Sequence, residues 1–221
     1  PAPGQSWLDA AVAEIGRGVA DERFGALLSG ASRFAHRQPL GPAAAERAQA
    51  AALCEGLEIE RWTLLETMRI ALILARHDLA QASAVAAMES AFQFADEGEL
   101  CALDRSLALW PEPKRFAARA GEGCRSNMRS VFEAVACDTP FPAKCFDELT
   151  FNQCAIKAIF VGAPLWRVWG PDARLNPELA RMALDLAEER RSAARPVQPE
   201  LWLALGRHGG ARGLKSLELE L

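Results

Sequence analysis

Residues 176–196, NPELARMALDLAEERRSAARP, decide the fold class. Asn176 is a side chain that can cap a helix. Pro177 suits the first helical position, because its missing N–H would be unpaired there anyway. Glu178 places an acid at the positive end of the helix dipole. The same stretch stops at Arg195-Pro196, so the spacing predicts a helix from Pro177 to about Ala194.

The same grammar extends in both directions. Asp147 can cap a helix that runs through Val161 and breaks at Gly162-Ala163-Pro164. Gly170-Pro171-Asp172 reads as a turn, and Gln198-Pro199-Glu200 starts a last short helix. Upstream, Trp62, Leu65, Met68, Leu72 and Ile73 recur at three-and-four spacing over 60–76. Asp78 is placed to cap the next helix, through Phe94, and Asp96 another that ends before Pro111. Trp7, Leu8, Ala11, Val12, Ile15 and Val19 form an apolar stripe behind Ser6, and Pro42 suits a first turn leading to Ala52. Gly121 and Gly123 are expected to separate a short helix from a longer one over about 124–136. Thr139-Pro140-Phe141-Pro142 reads as a rigid connection. No alternating strand and no Asn-Gly or Asp-Gly hairpin signal occurs. The expectation is an all-α, single globular domain over 1–206. It has about nine to eleven helices, in an irregular multi-helical bundle or a helical-hairpin array. A flexible tail is expected over 207–221.

Composition narrows the function classes. The 221 residues are 50% apolar and 24% charged, with a net charge of −4. That is ordinary globular material and argues against a uniform nucleic-acid-binding face. The longest apolar run, Ile70–Ala75, is closed by Arg69 and Arg76, so no transmembrane segment is expected. Arginine outnumbers lysine 21 to 4, and tyrosine is absent. Six dispersed cysteines form no CxxC and have no histidine at zinc-ligand spacing, so no metal site, no disulfide and a cytoplasmic location are expected. The opening PAPGQSW has neither a charged nor an apolar targeting region and no initiating Met, as a processed or trimmed product would show. Nucleotide, zinc-protease and serine-hydrolase signatures are missing, and no cofactor is expected. His36, His77 and His208 lie far apart, near element ends.

The informative chemistry lies in residues 122–202. The helix containing Asn152 and Lys157 is apolar almost all round, which puts both beside buried surface. A buried lysine needs an acid or a bound anion, or it reaches water with its stem packed. Arg125 and Asn127 are expected in the first turn of a helix, where free N–H groups favour an anion. Arg174 and Asn176 precede another helix start. Glu189, Arg190 and Arg195 close the set. Together Arg125, Asn127, Asn152, Lys157, Arg174, Asn176, Glu189, Arg190 and Arg195 are the expected ligand-binding cluster. Lys157 and Glu189 are the acid–base candidates if there is catalysis. An internal network that fixes helix packing is the competing reading of the same residues.

Two stretches carry a resemblance: FADEGELCALDRSLALWPEP, from Phe94, and the run from GCRSNMRSVFEA at Gly123 to RPVQPELW at Trp202. The order and spacing of these motifs resemble the EboA domain proteins of the ebo operon, most clearly over 94–202. On that resemblance the family's motif residues fall on Glu99, Arg125, Asn127, Phe146, Asn152, Lys157, Arg174, Asn176, Glu189, Arg190, Arg195 and Trp202. The chain departs from the pattern at Phe151, where a tryptophan is expected. It departs again at Arg191 and Ala194, where the family has tryptophan and glycine, which marks a divergent member. The resemblance implies a place in a secondary-metabolite pathway. Joined to the polar cluster above, it gives a soluble protein that binds, and in an enzymatic version transforms, a polar or anionic small metabolite in a cavity of the C-terminal half. Its alternative is a non-catalytic scaffold or partner for other ebo-pathway proteins, including export of a metabolite precursor. Trp166 and Trp169 would then be candidate anchors.

Overall fold

The computed structural model describes residues 3–220. The described chain is all-α: it contains no strand beyond an isolated bridge between Pro39 and Thr63. It divides into two compact units, meeting at Val135 and Ala136. Thirteen α-helices occur among the described residues, against the nine to eleven expected. The excess is in short helices that prolines start. Pro142 and Pro171 stand in first turns where a rigid connection and a turn were expected.

The first unit holds α1 (Pro3–Gly16), α2 (Asp21–Gly30), α3 (Ala44–Leu53), α4 (Leu64–Leu74), α5 (Ala84–Phe94), α6 (Glu97–Ser106), α7 (Ala117–Arg125) and α8 (Arg129–Ala136). Its centre is the packing of α4 on α6. Leu72, Ile73 and Leu103 are fully buried there. Trp110 packs edge-on against Phe116, with ring centroids 4.6 Å apart, and its indole N–H donates to Ser106 Oγ at 2.8 Å.

Three local expectations change in this unit. Asp78 does not cap α5, which starts at Ala84; it binds the Arg76 guanidinium instead, at 2.9 and 2.7 Å. Helix α3 begins at Ala44, with Glu46 reaching back to the Ala43 N–H, so Pro42 stands just outside it. Gly121 and Gly123 lie inside α7 rather than between helices, and both are buried. A Cβ at Gly123 would stand 3.2 Å from Asp104 Oδ2, so close packing and not chain reversal explains this glycine. Arg125 therefore ends α7 and does not open a helix.

The second unit holds α9 (Phe141–Cys145), α10 (Glu148–Val161), α11 (Pro171–Arg174), α12 (Pro177–Ser192) and α13 (Gly210–Glu218). Buried Ala155 and Ala158 of α10, with Ala180, Ala183 and Ala187 of α12, let these two helices pack closely. Asp147 caps α10 through the Thr150 N–H, as its position predicts. Beyond Gly206 the chain forms α13. Arg191 of α12 bonds to Ser216 of that helix and to Glu220.

Helix α12 ends in a Schellman motif. The Arg195 N–H donates to Arg190 O at 2.8 Å and the Ala194 N–H to Arg191 O at 2.9 Å. Ala194 takes a φ of 53°, the left-handed conformation. The family glycine that the resemblance places here meets that backbone requirement, and this chain's alanine carries a strained Cβ. Left-handed strain of about 1–2 kcal/mol, less the extra unfolded-state entropy of glycine, leaves a net gain of about 0.5–1 kcal/mol for Ala194→Gly. Urea denaturation should read that gain as a higher midpoint at unchanged slope; a lower midpoint would contradict the strain.

Candidate functional site

Two glutamates in the first unit each serve two helices. Glu66 is the third residue of α4, and its Oε2 accepts from the Thr63 N–H and hydroxyl, both at 2.8 Å. Its other oxygen accepts from Arg105 Nε of α6 at 3.1 Å. Glu99 is the third residue of α6, and its Oε2 accepts from the Asp96 N–H at 3.0 Å. Its Oε1 accepts from Ser29 Oγ at 2.6 Å and from Arg69 Nη2 of α4 at 3.4 Å. Each carboxylate thus closes a capping box on its own helix and pairs with an arginine on the other. Arg69 is 3% exposed and also donates to Leu28 O at 3.1 Å.

Cavities flank this seam. The larger, of about 320 Å³, is lined by Asp21, Glu22, Ser29, Ser90 and Glu99, with apolar walls from Phe24, Leu28 and Phe94. A second, of about 110 Å³, is lined by Arg37, Thr63, Glu66, Arg69, Gly98, Cys101 and Ser130. A Cβ on Gly98 would meet Arg37 Nη2 at 2.8 Å and Arg69 Nη1 at 2.9 Å, so glycine leaves room for two guanidinium groups. Burial, with Glu66 beside it, pushes the Cys101 thiol up to about 11. Cys101 therefore stays a thiol at neutral pH, which argues against a cysteine nucleophile in the smaller cavity.

Asp104, also on α6, differs from both glutamates. It is 2% exposed, and its Oδ1 is shut from solvent with no hydrogen-bond partner. Burial holds its carboxyl well above the ordinary value of 3.8, while Arg119 and Arg105 pull the other way. It lines a third cavity, of about 260 Å³, with Arg119, Glu122, Gly123 and Ser126.

The nine residues expected as one ligand cluster divide between the units. Arg125 and Asn127 are exposed and belong to the first. The other seven belong to the second, where two of them pair. Asn176 Nδ2 donates to Asn152 Oδ1 at 2.9 Å, and Asn152 Nδ2 returns a bond to Asn176 Oδ1 at 3.2 Å. The same Asn176 oxygen caps α12 by accepting from the Leu179 N–H at 2.8 Å. Arg174 donates to the carbonyls of Ala143, Phe146 and Asp147, and its guanidinium stacks 4.5 Å over the Phe151 ring. Arg190 donates to Pro196 O at 2.7 Å. Lys157 is half-buried on α10, whereas Glu189 and Arg195 are exposed.

Sequence reasoning passed over Glu66, Arg69, Asp104 and Arg105, and a buried ion pair in the second unit. There Arg167 Nη2 meets Asp138 Oδ2 at 2.6 Å, with the aspartate side chain 1% exposed. One signal was available. Thr63-x-x-Glu66 and Asp96-x-x-Glu99 are both capping-box sequences. Glu99 itself came only from the family resemblance.

The family model described as metabolite traffic protein EboA matches residues 2–206 of this chain. No curated protein matches it, and no solved structure does.

Asp104 generates a prediction for stability against pH. The folded chain keeps its proton over a range where the unfolded chain has lost it. Its favourable contribution is therefore complete below about pH 4 and is lost as pH rises through the raised value. Asp104→Asn should remove that descent and gain about 1–3 kcal/mol at neutral pH. Thermal denaturation across this range reads both; a variant that parallels the wild type at every pH would contradict the unpaired carboxyl.

Proposed function

The chain belongs to the EboA family, and from that membership we propose that it binds a small polar metabolite reversibly, in the cleft beside Glu99. The observation that carries the reading is the make-up of this cleft. Its volume of about 320 Å³ lies at the lower end of the range for small-molecule sites. Its apolar walls are interrupted by two hydroxyls, Ser29 and Ser90, and by carboxylates. Hydroxyl groups on a ligand can donate to Asp21, Glu22 and Glu99 and exchange hydrogen bonds with the serines. Arg76 and Arg69 pair with Asp21 and Glu99, and no arginine or lysine among the described residues lines the cleft itself, so the ligand we infer is hydroxylated and not negatively charged. Ser29 is held toward Glu99, and Glu99 is held by Arg69 and the Asp96 N–H. Such a wall is rigid before the ligand arrives, which lowers the entropic cost of binding.

On this reading the polar residues of the second unit serve packing. Asn152, Asn176 and Arg174 spend their donors on one another and on main-chain carbonyls. A role as a partner protein is favoured by one separate observation. Trp166 is 60% exposed, although Trp169 is half-buried with the Lys144 ammonium 5.0 Å from its ring centroid.

Native mass spectrometry of freshly purified protein tests the assignment. The wild type should carry a small-molecule adduct. Ala91→Trp, which fills the cleft, should lose it, and Lys157→Met should retain it. An adduct that survives Ala91→Trp but disappears with Lys157→Met would transfer the site to the second unit. A wild type with no adduct would sink the reading.

A further inference from the structure

We propose that the cavity bounded by Asp104, Arg119, Glu122, Gly123 and Ser126 is a second binding site, for a small organic cation whose ammonium group pairs with Asp104. The first observation is the isolation of this carboxyl. Asp104 is 2% exposed, and no group of the protein donates to its Oδ1. Native interiors rarely leave a polar atom so, because the cost of desolvation is then unrecovered.

The second observation is where the neighbouring positive charges go. Arg105, the next residue in the chain, gives its Nε–H to Glu66. Arg119 is in close contact with Glu122, lies 3.3 Å from Glu89, and stacks 5.2 Å over the Phe92 ring. Arg119 is thus spent on other acids, and Arg105 Nη1, though buried near Asp104 without a partner, makes no hydrogen bond to it. Within the cavity wall Arg119 is offset by Glu122, which leaves Asp104 as the uncompensated acid. The third observation is Gly123. A Cβ there would stand 3.2 and 3.3 Å from the two Asp104 oxygens, so glycine is what gives the carboxyl its space.

These features select a ligand class. Phe92, Leu100 and Val131 supply an apolar lining. At about 30 Å³ per water, a cavity of about 260 Å³ has room for about eight heavy atoms. A compact apolar body bearing one ammonium fits both the size and the charge. The proton balance is explicit. The ligand arrives as R–NH3+ and meets Asp104 as a carboxylic acid. The acid releases its proton to solvent, and the carboxylate pairs with the ammonium, so one proton leaves per ligand bound. The titratable and charged groups around Asp104 are Cys101 and Arg105 on its own helix, Arg119 and Glu122 on α7, and Glu89 on α5.

Benzylamine, with eight heavy atoms, is the probe. Isothermal titration calorimetry of the full chain, in buffers of differing ionisation enthalpy, should show saturable binding in the millimolar range or tighter, with one proton released. Affinity should fall as pH is lowered. Asp104→Asn, which should fold at least as stably as the wild type, should weaken binding by about tenfold or more and abolish proton release. Leu100→Trp, which fills the cavity from its apolar wall, should also abolish binding. Benzyl alcohol and benzoate should not bind. Any of three results overturns the proposal: no saturable heat with benzylamine, binding that Asp104→Asn leaves unchanged, or benzoate binding in its place.

Discussion

Two glutamates and two arginines exchanged between α4 and α6 set the geometry of the first unit. Glu66 of α4 meets Arg105 of α6, and Arg69 of α4 meets Glu99 of α6. The pairs run in opposite sequence order, which fixes the two helices as antiparallel. Taking these groups out of water costs several kcal/mol per ion, and the cost is recovered only in one register. Sliding either helix by a residue would strand both pairs together. Each glutamate is also pinned by its own N-cap, so the start of each helix and the pairing of the two are one arrangement.

The rest of the unit follows from burying α6 on nearly all sides. Seven of its residues are buried, among them Glu99, Asp104 and Arg105. An ordinary amphipathic helix would turn such groups to water. Here they must find partners inside, and imperfect filling around them leaves polar-lined cavities. Glu99 lines one, and Asp104 lines another. Where the charges are matched the seam contributes specificity. At Asp104 the match is missing, and a buried carboxyl left with an unpartnered oxygen is where perturbed chemistry is expected.

The second unit also buries an ion pair, Arg167 with Asp138, but between α10 and α12 it uses neutral amides and main-chain carbonyls. The Asn152–Asn176 pair joins α10 to the cap of α12 without burying a charge. Arg174 closes the end of α9 by donating to carbonyls while its flat guanidinium covers Phe151. A lysine could not do both, since it lacks the planar fork. The arginine-rich composition has a structural use at such positions: Arg115 in the first unit likewise donates to Leu79 O and Gln81 O.

Local signals in the sequence determined the all-α class and several helix ends. The caps at Asp96, Asp147 and Asn176 stand where their side chains require, because a cap is decided within a few residues. Ala194 marks a turn whose left-handed backbone can be read from the glycine that relatives are expected to carry there. Gly123 could not be read in this way. It looks like a helix breaker until Asp104, distant in the chain, is seen against it. The same limit governed the site. Polarity and spacing singled out Asn152, Asn176 and Arg174, and tertiary structure turned their bonds inward. Glu66, Arg69, Asp104 and Arg105 look in sequence like an ordinary solvated face. They became the charged seam and its cavities only because α4 and α6 bury each other. Charge pairing between helices depends on which residues become neighbours in space, and that is decided by packing rather than by local pattern.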